Sequence, residues 1–253
     1  MNTTTPAYIR LRRLHCHRES SRWRKTEPYL WNIFFCIDGQ SVQLNERFEL
    51  SGEARFYCSP GSHGNLGVAS VQAGESVLIP PAVGQWTFDM RPIAAYFTYS
   101  IPPIVGVISV LMEKENVSAA GAEAGHRALN AYVQAAVNEA LRNFDVRRID
   151  VENIRESIRQ YFAEKVGEVV LGIEQAVSKA VADAQTLFQN LWPLLDRDDL
   201  VGYRIWDFHA NEIAQHVALS HRWDTRSCGD WELHGEIGPG SPDPLPVTDV
   251  PIA

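Results

Sequence analysis

Tyr29-Leu30-Trp31-Asn32-Ile33-Phe34-Phe35-Cys36-Ile37, closed by the turn signal Asp38-Gly39, decides the fold class. An almost unbroken aromatic and aliphatic run between turn residues is what a central β-strand needs when both of its faces are covered. Upstream, Tyr8, Arg10, Arg12 and Leu14 alternate loosely with Ile9, Leu11 and Arg13, as in a strand with one buried face. Downstream, Ala54–Cys58, Val68–Val71, Ser76–Ile79, Gln85–Met90 and Ala95–Ser100 read as further short strands broken by Gly, Pro, Asn and Ser. Pro80-Pro81 and Pro102-Pro103 close two of them, because proline cannot donate to a ladder. Val105–Glu113 is another apolar strand, and Tyr203–Phe208, Ala218–Trp223 and Asp230–Ile237 complete the set. Short strands with frequent turns point to an antiparallel β-sandwich and away from an alternating α/β sheet.

Between the last two groups of strands the periodicity changes. Ser118 is placed to cap a helix whose apolar residues are Leu129, Val133, Ala136/Val137, Ala140/Leu141 and Phe144. A second stripe runs Ile154, Ile158, Tyr161/Phe162, Val169, Ile173, Ala176/Val177, Ala180, Ala184, Leu187/Phe188 and Leu191. Unbroken, it would be a helix on the order of 60 Å long, so a bend is expected near Gly167 or Gly172. Pro193 ends it. The fold class expected is therefore α+β: a sandwich from 1–117 and 196–238, an inserted helical hairpin or small bundle over 118–195, and a flexible Pro-rich tail over 239–253.

The chain has 253 residues, 45% hydrophobic and 21% charged, which is ordinary for a globular protein with a sizeable core. A net charge of -8 argues against a general nucleic-acid binder, whose affinity comes from neutralising phosphates. The charge is uneven. Arg10, Arg12, Arg13, Arg18, Arg22, Arg24 and Lys25 face a single Glu19, which suits either a local anion-binding surface or a solvated strand edge kept from aggregating by its charges. No signal-peptide core and no transmembrane stretch is visible, so a cytoplasmic protein, or one exported without a cleaved signal, is expected. Cys16, Cys36, Cys58 and Cys228 show no Cys-x-x-Cys spacing and read as reduced. Cys16 and Cys36 would face each other if their strands paired.

Carboxylates at neighbouring loop tips are what a hard cation needs, since calcium takes six to eight oxygens in irregular geometry. Thr26-Glu27-Pro28-Tyr29-Leu30 opens one strand, Glu113-Lys114-Glu115-Asn116 ends another, and Asp196-Arg197-Asp198-Asp199-Leu200-Val201-Gly202 opens a third. These elements resemble the calcium- and phospholipid-binding β-sandwich domains of the protein kinase C and synaptotagmin type. That family has a Ser-Asp-Pro-Tyr-Val-like opening, an Asp-x-Asp strand end and Asp-aliphatic-aliphatic-Gly. The resemblance covers Ala7 to Trp31, Val105 to Asn116 and Asp196 to Phe208. It departs from the family in placing Glu where Asp is usual, in Ser20, Ser21, Arg22 and Arg24 in the first loop, and in the helical insertion. It implies calcium held by Glu27, Glu113, Glu115, Asp198 and Asp199, with Arg22, Trp23 and Arg24 touching a membrane surface or protein partner. Without the resemblance, Asp198-Asp199 make a turn before Gly202.

Other motifs carry less. His15 and His17 share one face of a strand and could begin a zinc or nickel site, but no third ligand is assignable. Ser59-Pro60-Gly61-Ser62-His63-Gly64 lacks the lysine of a phosphate loop and the Gly-x-Ser-x-Gly pattern, and fits a surface turn. The Ala- and Val-rich helical stripes suit helix-to-helix packing better than membrane insertion. Three functions follow: a non-enzymatic binding module working through rim loops; a structural, assembly or toxin-system component that forms a homo-oligomer through its helices; and a metal-assisted hydrolase using the same carboxylates. On the second, deleting Ser118–Leu191 leaves a folded sandwich that no longer assembles.

Overall fold

The computed structural model describes residues 4–20, 26–45, 49–68, 70–94, 100–114, 118–143 and 200–243. The strands are β1 (Thr5–Arg18), β2 (Pro28–Ile37), β3 (Val42–Leu44), β4 (Leu50–Gly52), β5 (Arg55–Cys58) and β6 (Ser76–Leu78). A single helical turn, α1 (Pro81–Gly84), precedes β7 (Gln85–Met90), β8 (Ile93–Ala94), β9 (Ser100–Ile101) and β10 (Ile104–Glu113). The long helix α2 (Ala119–Asn143) then leads towards β11 (Leu200–His209), β12 (Val217–Thr225) and β13 (Gly229–Pro239). Two antiparallel sheets dominate. One has the order β11-β10-β2-β5. The other is β12-β13-β1, with β6 and β7 sharing the far side of β1. This is the antiparallel sandwich of an α+β protein.

The apolar run of β2 is buried along its whole length, as is β10 beside it. Its two faces serve different layers. Leu30, Phe34 and Cys36 point into the sandwich with Val105, Val107 and Leu111 of β10 and with Ile9, Leu11 and Leu14 of β1. Tyr29, Trp31, Ile33, Phe35 and Ile37 point outward, and there they meet Ala122, Leu129, Val133, Val137 and Leu141 of α2. The molecule thus has three layers, sheet on sheet on helix. The stripe Leu129, Val133, Val137 and Leu141 is buried against the sheet, while the second stripe on which it was expected to pack lies outside the described residues. Each such aliphatic or aromatic side chain contributes about 1.5–3 kcal/mol on burial, so α2 belongs to the core that holds β2 and β10.

Local signals explain the boundaries. Ser118 caps α2, its Oγ accepting from the Gly121 amide at 3.1 Å. Asn138, buried on the same helix, accepts from the Ala54 amide at 2.9 Å. The turn at Asp38 closes with the Val42 amide donating to Asp38 O at 2.9 Å. Asn32, the amide inside the apolar run, donates through Nδ2 to Val83 O at 2.8 Å, so a polar side chain is tolerated in the core. Gly106 is fixed by crowding. A Cβ there would fall 2.4 Å from both Phe35 Cζ and Trp206 O.

Several expectations are corrected. None of the described residues of Val68–Val71 lies in a strand, and Val71 makes an isolated bridge to Thr26. The ribbon of β3 and β4 was not expected. Cys16 and Cys36 lie on opposed sheets, on β1 and β2, and all four cysteines are free. β1 is flanked on both sides, so its arginines do not guard an edge. The tail does not start loose at Pro239, which pairs with Ala7; Gly240 N then donates to Pro6 O at 2.8 Å, and Arg10 to Asp243 O at 2.5 Å. The second helical stripe, Ile154 to Leu191, and the segment Ala95–Tyr99 lie outside the described residues.

Candidate functional site

Strand register brings three sequence segments to one rim of the four-stranded sheet. Pro28 of β2 pairs with Glu113 of β10, and Tyr29 with Met112. On the other side, Met112 pairs with Leu200, the first residue of β11. The chain therefore leaves the sheet after Lys114 and re-enters it at Leu200, on adjacent strands. Glu27 lies at this rim, and the segments holding Glu115 and Asp198-Asp199 connect directly to it in sequence.

The two described carboxylates are already engaged. Lys114 Nζ lies 2.5 Å from Glu27 Oε2, and the Lys114 amide donates to Glu27 O at 3.0 Å. Both side chains are well exposed, so this pair is worth little by itself. Glu113 is only 3% exposed, and Ser20 Oγ donates to its Oε1 at 2.7 Å. Ser20 follows the end of β1, so this bond ties the two sheets together at the rim. Of the sequence-derived site residues, Glu27 and Glu113 come to neighbouring strand ends. Glu115, Asp198, Asp199, Arg22, Trp23 and Arg24 lie outside the described residues. Among the described residues, no three His, Cys, Asp or Glu side chains are grouped to hold a metal ion.

Behind the rim lies an aromatic and imidazole cluster. His63 meets Tyr29 edge-on at 4.9 Å between ring centroids, and His126 of α2 stacks on Trp31 at 5.4 Å and 25°. Trp31 Nε1 donates to Gly61 O at 2.7 Å. A Cβ on Gly61 would fall 1.9 Å from His126 Nδ1. The Ser59–Gly64 loop is thus wedged between β2 and α2, and is more than a surface turn. Burial pushes the His126 pKa down to about 4, and nearby Arg127 adds to the effect. Burial also lowers that of His63, with Lys114 pushing the same way. Both imidazoles are held neutral near pH 7.

Sequence reasoning found only half of a second group of titratable residues. His15 and His17 do share a face, their rings 4.5 Å apart. The fold adds Glu232 and His234 from β13. His17 Nε2 lies 2.9 Å from Glu232 Oε2, and His234 Nε2 lies 3.7 Å from Glu232 Oε1. Ser220 donates to Glu232 Oε1 at 3.0 Å, and the Glu232 carboxyl is held below its ordinary range first by the His17 hydrogen bond. The available signal was the period-2 run Glu232, His234, Glu236, which marks one polar strand face; what it lacked was the identity of the neighbouring strand.

No family model, curated protein or solved structure matches the chain. Among the described residues no helix is long and apolar enough to cross a membrane.

Proposed function

We propose that the protein is a non-enzymatic, calcium-dependent binding module that engages a membrane surface or a protein partner through the rim formed by the ends of β2, β10 and β11. The observation that supports this reading is the register Pro28–Glu113 and Met112–Leu200. It sets side by side the strand ends from which the acidic segments depart. Glu27 and Glu113 supply oxygen ligands there, and the sequence continues into Glu115 on one strand and comes from Asp198-Asp199 on the other. Arg22, Trp23 and Arg24, between Ser20 and Thr26 in the chain, supply the cation and indole chemistry that suits a lipid headgroup or protein contact.

Lys114 sets the affinity in this scheme. Its ammonium occupies Glu27, so an arriving ion must displace it, and calcium binding falls in the weak range, on the order of 10⁻⁴ to 10⁻³ M. Calorimetric titration of the full chain with calcium chloride tests the idea. Heat of binding is expected, weakened about tenfold by Glu27→Gln and strengthened severalfold by Lys114→Met. Cosedimentation with phosphatidylserine vesicles should then rise with calcium. No heat and no thermal shift at about 10 mM calcium would remove the ion from the proposal. Tighter binding in Glu27→Gln would remove the rim.

A further inference from the structure

The outer face of the five-stranded sheet carries a second feature, built from residues other than those of the rim and independent of that reading. β1 pairs with β13 on one side and with β6 and β7 on the other. Its register against β13 slips between Leu11 and Arg13. Strict alternation would send one of two consecutive side chains into the sandwich. The slip leaves both Arg12 and Arg13 exposed on the outer face, as β-bulges characteristically re-aim side chains. Gly235 sits opposite, and a Cβ there would fall 2.6 Å from Arg10 O, so the close approach of β13 at the bulge depends on glycine.

Around this bulge lies an open cleft of about 500 Å³, lined by Arg12, Arg13, His216, His234, Leu78 and Val217 among others. That volume suits a small organic ligand. The carboxylate in the cleft is Glu236, and it is saturated: Arg10 donates to it at 2.6 and 3.1 Å, and Arg12 at 3.2 Å. Among the described residues Arg13 has no carboxylate within ion-pair distance. Its cross-strand neighbours are His234 on β13 and Leu78 on β6. Leu78, at 60% exposure, is the exposed large hydrophobic residue among those described. An unpaired guanidinium therefore stands between an imidazole and an uncovered leucine. The ligand these groups fit has an anionic head and an apolar body. Arg13, together with the N–H groups of Arg12 that Glu236 does not take, offers more donors than a carboxylate's two oxygens can use. A phosphomonoester, with three acceptor oxygens and a charge of about −1.5 to −2, uses them better.

We infer that this cleft binds a phosphomonoester bearing an apolar group, with Arg13 as its principal contact and Leu78 and Val217 against the apolar part. The test titrates the full chain with inorganic phosphate and with phenyl phosphate, and separately with phosphatidylcholine vesicles with and without phosphatidic acid. Phenyl phosphate is expected to bind about tenfold more tightly than inorganic phosphate, given the apolar area it buries. Arg13→Gln should weaken it by about tenfold or more, as loss of a charge-assisted hydrogen bond does. Leu78→Ser should narrow the gap between the two soluble probes, while Arg127→Gln, on the exposed face of α2, should change nothing. Arg13 is exposed and unpaired, so its variant should unfold at the wild-type temperature, which separates lost binding from lost fold. Vesicle binding that needs both phosphatidic acid and Arg13 would place the same chemistry on a lipid; its absence beside phenyl phosphate binding would place it on a soluble ester. Binding of neither source, or binding that Arg13→Gln leaves as strong as Arg127→Gln does, would overturn the inference.

Discussion

His126 shows how one buried side chain sets a measurable property. It lies on α2, 2% exposed, stacked on Trp31 and confined by Gly61, and its Nε2 has no hydrogen-bond partner among the described residues. Its folded pKa of about 4 lies below the ordinary 6.5. Between those values the unfolded chain binds the extra proton and the folded chain does not. Stability is thus unaffected by this residue above about pH 6.5, falls as pH drops towards 4, and levels off below. The full loss is about 3 kcal/mol, from 1.36 kcal/mol per pKa unit. His126→Phe keeps an aromatic ring against Trp31 and removes the titration. Urea unfolding at pH 7 and at pH 4.5 should show the variant losing less stability than the wild type over that interval. Parallel losses would mean that the imidazole is not buried neutral. The sequence did not single out His126, because one polar residue on a helical stripe looks the same whether it faces solvent or a tryptophan.

At the scale of elements, most strands were legible and the reason is physical. β2 and β10 are covered on both faces and need continuous apolar sequence, whereas β7 and β12 have one exposed face and show looser alternation. Residues Gln85–Met90 were bounded correctly because Pro80-Pro81 stops the preceding strand and the polar-apolar alternation of Trp86, Phe88 and Met90 is plain. The β3–β4 ribbon was illegible because three-residue strands give no period to count. The sheet as a partner of α2 was illegible for a related reason. A stripe at Leu129, Val133, Val137 and Leu141 says that a face is buried but not against what. The structure makes a specific demand of it. Leu141 is 2% exposed in the layer between helix and sheet, so Leu141→Ala should cost about 2–5 kcal/mol, the usual range for a cavity left by a truncated leucine. Arg142→Ala, whose ion pair to Glu53 is long and exposed, should stay within about 0.5 kcal/mol of wild type. Chemical denaturation of both variants checks the contrast, and equal effects would mean that α2 is not anchored where described.

The whole molecule turns on how the helical excursion relates to the sandwich. From sequence the sandwich and the helices look like separable units, because composition changes sharply after Glu113 and changes back after Pro193. The rim was legible to that extent: Glu27 and Glu113 were picked out from distant segments, and their strand ends are indeed neighbours. The cleft and the His17–Glu232 group were not, since both require knowing that β13 lies beside β1. The layered core also changes what removal of residues 115–199, α2 included, should do. Lys114 and Leu200 leave adjacent strands, so a short linker could close β10 and β11 into a hairpin without strain on the ladder. Closing it uncovers Tyr29, Trp31, Ile33, Phe35, Ile108 and Val110 on the outer face of the sheet. A contiguous apolar surface of that kind drives association. A chain lacking residues 115–199 is therefore expected to aggregate or to bind hydrophobic dye, and not to persist as the monomeric sandwich that a detachable module would leave behind. Replacing Ile33, Phe35, Ile108 and Val110 by threonine in the shortened chain should restore solubility, because threonine keeps the β-branched shape that strands favour while presenting a hydroxyl to water. Light scattering on both shortened chains separates the two architectures. A soluble monomer before any threonine is introduced would show that residues 115–199 are an independent unit on a sheet that does not need them.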